Sequence, residues 1–128
     1  YSTSDGVYCT RSISDFNNNM NEASKTNTSH FIHMVFFWLK DTSAEEILSF
    51  KRRVTDFLDE IAEIDRYHVG TPADTSRPVI ERGYSVSLVV EFNNKAAHDI
   101  YQVHESHQNF VADSSHRWEK VLIFDADH

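Results

Sequence analysis

Three features of the chain predict an α+β fold with the element order βαββαβ. They are an apolar, β-rich run from Phe31 to Leu39, a helix-periodic stretch opened by Ser43, and a strictly alternating run from Tyr84 to Phe92. The 128 residues suit one domain with one core. Asp41-Thr42-Ser43 stops the first run. Ser43 and Glu46 then form a capping box, and Ile47, Phe50, Val54, Phe57, Leu58 and Ile61 fall at helical spacing to about Glu63. A short strand from about Asp65 to Gly70 follows, then a loop carrying Pro72, Pro78 and Gly83. In the next strand Tyr84, Val86, Leu88, Val90 and Phe92 alternate until Asn93 and Asn94 end it. Helix returns from about Lys95 to Asp113, with a break near Glu105 compatible with the pattern, and Trp118 to Asp125 makes the closing strand. This order is the ferredoxin-like split arrangement, an antiparallel four-stranded sheet with helices on one side.

Residues 1–29 read differently. Ser, Thr, Asn and Asp dominate, and Val7, Tyr8, Ile13, Phe16 and Met20 show no period, so this part is expected to be a loosely attached polar extension to a domain spanning 30–128. The chain opens on Tyr1, which is compatible with a lost upstream signal or with a shorter product starting at Met20. A cytoplasmic location is the expectation. Cys9 is the single cysteine, so no internal disulfide forms, and it stands away from any general base that would make it a nucleophile.

Charge and composition exclude several function classes. Twenty acidic side chains against 12 basic ones give a net charge of −8, which repels a phosphate backbone and argues against nucleic acid as a partner. The longest apolar run, Met34 to Leu39, is far short of the ~20 residues that span a bilayer. With Gly6, Gly70 and Gly83 as the only glycines there is no phosphate-cradling loop, and no nucleotide or other cofactor is expected.

The first strand demands a partner. Phe31, His33, Val35, Phe37 and Leu39 fall on one face and Ile32, Met34, Phe36 and Trp38 on the other, so both faces call for burial. Helices cover one. A second copy packed sheet to sheet is the simplest cover for the other, making a homodimer; the extension folded across that face is the rival.

The last helical stretch carries Tyr101, His104 and His107 at spacings of three, beside the closing strand. Such a set can line a pocket with groups able to move protons. His104 and His107 have a spacing that can share a metal, but a site needs a third ligand, and no metal is expected.

Several segments together carry a resemblance to a known family. His33-Met34-Val35-Phe36-Phe37-Trp38-Leu39-Lys40, Gly83-Tyr84 leading to Val89-Val90-Glu91-Phe92, Tyr101-Gln102-Val103-His104-Glu105-Ser106-His107, and Trp118 to Asp125 resemble the stress-responsive A/B barrel (Dabb) family over about His30 to Asp125. The resemblance implies a dimeric α+β barrel with a cavity between sheet and helices in each subunit. One similar branch comprises plant polyketide cyclases, which close poly-β-keto chains into aromatic acids. By that likeness Tyr101 and His107 are the acid–base pair, and His33 and His104 line or support a pocket for an aromatic or polyketide-like ligand. Such chemistry asks for a base of near-neutral pKa and a donor for the enolate oxygen. Glu105 replaces the proline usual after the first of the helix histidines, which favours a less broken helix.

Each of these residues has a structural alternative. His33 shares a face with Val35 and Phe37 and reads as a core histidine satisfied by a hydrogen bond; Tyr101 suits core and pocket equally. His68, His98 and His116 read as surface residues, and Trp118 with Phe124 as core. The functional alternatives to an acid–base pocket are a non-catalytic stress-associated dimer and a cofactor-free monooxygenase acting on a phenolic substrate. Protonating eight histidines moves the net charge of −8 towards neutrality as the medium becomes mildly acidic. Turbidity is therefore expected to rise as the pH approaches the isoelectric point of about 5.4; a flat trace from neutral pH down to that point would contradict this.

Overall fold

Burial alternates residue by residue along the first strand, and that alternation sets the layers. A computed structural model of the chain describes residues 30–128. The expectations for residues 1–29, including Cys9 and Met20, lie outside the described part. Strand β1 (Phe31–Leu39) leads into helix α1 (Ala44–Asp59), strand β2 (Arg66–Gly70) and strand β3 (Val86–Phe92). Helices α2 (Lys95–Val103) and α3 (Glu105–Ser114), a 3₁₀ turn (Ser115–Arg117) and strand β4 (Trp118–Asp127) complete the order.

The four strands form one sheet in the order β2-β3-β1-β4, with every neighbouring pair antiparallel. This is the ferredoxin-like α+β arrangement. β1 is central, its His33 opposite Val90 on one side and Asp125 on the other. A register shift near the start of β4 pairs Trp38 with Lys120 and Leu39 with Trp118, skipping Glu119.

The helices cover the face carrying Phe31, His33, Val35, Phe37 and Leu39, all buried. Against them pack Phe50, Val54, Phe57 and Leu58 of α1, Tyr101 of α2 and Phe110 of α3, with Val86, Leu88, Val90 and Phe92 from β3. Phe57 stacks on Phe110 with ring centres 4.5 Å apart, and Phe37, Phe50, Phe110 and Trp118 interlock around them. The other face stays only half covered. Ile32, Met34, Phe36 and Trp38 are partly exposed, and Phe124, expected in the core, is 51% exposed on this face, 6.1 Å from the Phe36 ring. It pairs with Met34 across β1 and β4, so the pleat itself turns Phe124 away from the helices.

Local details differ from expectation for identifiable reasons. Ser43 caps α1 by accepting from the Glu46 backbone N–H, but the reciprocal bond of a capping box does not form. Asp41 takes the Ser43 N–H, and the Glu46 carboxylate instead binds Arg117 through two contacts of 2.7 and 2.9 Å. Helix α1 stops at Asp59 rather than near Glu63. Tight turns, with Ile61 N–H donating to Leu58 and Ile64 N–H to Ile61, still deliver Ile61 to the core. Phe57→Ala should cost about 3–5 kcal/mol through lost burial and the cavity left behind. Urea unfolding would show this as a lower midpoint at unchanged slope; a loss under about 1 kcal/mol would contradict so central a place for Phe57.

Candidate functional site

His33 projects from the middle of β1 beneath α2. Because register sets Asp125 of β4 directly opposite, the two side chains emerge on the same face, and His33 Nδ1 donates to Asp125 Oδ1 at 2.5 Å. Helix α2 lies above, capped by the Asn94 side chain accepting from Ala97 N–H at 2.9 Å. His98 and Tyr101, one turn apart on α2, both point down onto the sheet. The Tyr101 ring lies 5.4 Å from His33, 5.2 Å from Phe92 and 6.2 Å from Phe57, and it is 1% exposed.

His107 reaches the same cluster only because the helix breaks. In one continuous helix Tyr101 and His107, six residues apart, would point about 120° away from each other. At His104 the backbone becomes extended (φ −63°, ψ 141°), so α2 ends and α3 begins on the same residue. The break occurs without proline. His104 stabilises it with its own side chain, Nδ1 accepting from the Ser106 N–H at 3.0 Å, while its backbone N–H donates to Tyr101 O. The redirected α3 brings His107 within 4.8 Å of the Tyr101 ring and 5.7 Å of Phe57.

Of the four residues singled out in the sequence, the structure therefore brings His33, Tyr101 and His107 together, while His104 Nδ1 is committed to the helix cap. That use leaves the i, i+3 pair His104 and His107 a poor basis for a metal site. His98 corrects the surface expectation: it is 8% exposed, stacked on Phe31 at 4.4 Å and 4.9 Å from the His33 ring. Asp125 was not singled out at all. Both were accessible in principle, His98 as the residue one turn before Tyr101, and Asp125 as the carboxylate sharing the alternation of Val121 and Ile123 in the closing strand.

Burial governs the electrostatics. It pushes the Tyr101 hydroxyl well above its ordinary value, helped by the nearby Asp125 carboxylate, so the phenol stays a neutral donor. Burial also lowers His33, with Asp125 pulling the other way. His107 falls to about 4, first through burial and then through the neighbouring imidazoles of His33, His98 and His104. That is below the near-neutral range expected of the base. His33 and His107 thus present neutral imidazoles beside the phenol, with Asp125, 40% exposed, as the opening of the cluster to solvent at the β4 edge. A groove of about 800 Å³ lies between α1 and α3, lined by residues such as Arg53, Asp56, Asp59 and Asn109, and includes none of the cluster.

The unfolded chain protonates His107 at about 6.5 and the folded chain only at about 4, so acid favours unfolding between those values. Stability should be fully present above about pH 6.5 and fall as the pH drops towards 4. Urea titrations of wild type and His107→Gln should show a shallower decline in the variant; parallel declines would mean that other groups carry the acid sensitivity.

Comparison with known proteins agrees with this architecture. The family model described as Stress responsive A/B Barrel Domain matches residues 31–127. No curated protein sequence matches the chain. Among solved structures, a Dabb family protein with a ferredoxin-like fold from Mesorhizobium loti is 26% identical, with a TM-score of 0.62 over 78% of this chain and 97% of that one. A dimeric protein of unknown function and ferredoxin-like fold from Bacteroides fragilis is 24% identical, with a TM-score of 0.57 over 77% and 95%. The hydroxynitrile lyase of Passiflora edulis is 17% identical, with a TM-score of 0.65 over 80% and 95%. With the match covering every described strand and helix, the chain belongs to the stress-responsive A/B barrel (Dabb) domain family.

Proposed function

We propose that the protein is a homodimer that holds a small aromatic or polyketide-like carbonyl compound at Tyr101 and His107 and moves a proton on it. The observation that carries this reading is the 4.8 Å approach of Tyr101 and His107, produced by the helix break at His104. A neutral phenol can donate to an oxygen that becomes negative as a neighbouring carbon loses its proton, and the imidazole can accept that proton. An anionic ligand beside His107 would raise its affinity for the proton and offset the effect of burial. His33, held by Asp125, supports the site from below, and His104 sets the geometry of the break. No cofactor is needed for such a transfer.

The dimer rests on the half-covered sheet face. Ile32, Met34, Phe36 and Trp38 of β1 and Leu122 and Phe124 of β4 line a continuous apolar surface that a second copy would bury. The dimeric neighbour of the same fold supports the assembly, and the lyase neighbour supports the idea that this fold can house chemistry. The net charge speaks against nucleic acid, and among the described residues no helix is long and apolar enough to cross a membrane. One observation favours a second reading, a non-catalytic dimer: Tyr101 is almost fully packed, as a purely structural tyrosine would be.

Thermal unfolding against phenolic acids and poly-β-keto mimics separates the two. A compound at about a hundred times its Kd should stabilise wild type by about 2.7 kcal/mol and leave His107→Ala and Tyr101→Phe much less affected. A flat panel, with the variants merely less stable than wild type, would favour the structural reading.

A further inference from the structure

We propose that His33, His98 and Asp125 form a binding site for a zinc-class divalent transition cation at the β4 edge of the sheet. The three residues come from β1, α2 and β4, and their donor atoms all lie within 4.8 Å of one another. Two imidazole nitrogens and one carboxylate oxygen are a donor set that zinc, cobalt and nickel accept readily, whereas magnesium and calcium prefer oxygen alone. The site shares His33 and Asp125 with the organic-ligand reading above but does not rest on that reading.

The geometry needs little adjustment. Ligand atoms about 2.0–2.2 Å from a tetrahedral ion stand about 3.4 Å apart. His33 Nδ1 and Asp125 Oδ1 are closer than that at 2.5 Å, and His98 Nε2 and Asp125 Oδ1 farther apart at 4.0 Å. An outward swing of the Asp125 carboxylate, the exposed member of the set, opens the first gap, and small rotations of the rings close the second. The ion would displace the proton on His33 Nδ1 and the Gln102 amide nitrogen, which stands 3.1 Å from His98 Nε2. Because only Asp125 is exposed, the ion has one entry path and one side on which water can complete its coordination.

A second observation points the same way. Among the described residues the one buried side-chain polar atom without a hydrogen bond is His98 Nδ1, on a side chain 11% exposed. Burying an unsatisfied imidazole nitrogen is costly when a leucine would fill the same space. With Nε2 bound to a cation, Nδ1 must carry the proton, and Asp99 Oδ1, 3.5 Å away, stands where a carboxylate would orient a metal-bound histidine.

The test titrates Co²⁺, then competing Zn²⁺, into the metal-free full-length protein and follows the visible d–d absorption. The proposal expects one equivalent to bind with tetrahedral-type bands. His98→Ala and Asp125→Asn should each weaken binding at least tenfold, while His116→Ala, at an exposed position away from the site, leaves it unchanged. Histidine side-chain NMR with Zn²⁺ gives a readout free of folding effects: His33 and His98 should shift and the exposed His68 and His116 should not. Asp125→Asn, at a solvent-exposed position, keeps the test valid if His98→Ala fails to fold. The proposal is overturned if no stoichiometric binding occurs, or if Asp125→Asn binds as wild type does. It is equally overturned if binding is lost instead in His30→Ala or His128→Ala, whose rings meet at the end of the sheet.

Discussion

The structure depends on a central strand that is apolar on both faces. β1 sits between β3 and β4, so it cannot relieve either face by moving to an edge. Its inner residues draw a single layer of helices down around Phe57 and Phe110, and this fixes where α2 and α3 lie. Its outer residues, from Ile32 to Trp38, leave an apolar surface that the described part of the chain only half covers. The pleat also places His33 opposite Asp125 and beneath His98 and Tyr101, so the same alternation that builds the core assembles the cluster.

Within that frame one residue decides the shape of the site. His104 ends α2, starts α3 and satisfies the new helix with its own ring nitrogen. The usual device for breaking a helix is proline, whose ring obstructs the preceding turn. Here a capping imidazole does the same work, and Glu105 takes a place in the first turn of α3, where a negative charge is favourable. The break turns His107 towards Tyr101, and burial then makes both groups neutral.

Much of the fold was legible because its signals are local. Alternation in β1 and β3, the Ser43 cap and the helical spacing of Phe50, Val54, Phe57 and Leu58 all act over a few residues, and the element order and family likeness follow from them. The end of α1 was misplaced because Ile61 continues the helical spacing yet reaches the core from a turn. The site was legible in part. Tyr101, His107 and His33 could be named from motif and face, but the partnership of His33 with Asp125 is a matter of register between strands 92 residues apart in sequence. His98 was misread because a polar residue on a helix looks exposed until the helix is placed against its sheet. The role of His104 as a cap depended on a backbone break that its missing proline argued against.

The central claim is that the outer face of β1 and β4 is covered by a second copy. Light scattering of the wild-type chain and of Phe36→Glu at micromolar concentration tests it directly. The account predicts a dimeric mass for wild type and a folded, monomeric mass for the variant, since a carboxylate at Phe36 would be buried without a partner in the dimer. A wild-type monomer at that concentration would contradict it and return the covering role to residues 1–29.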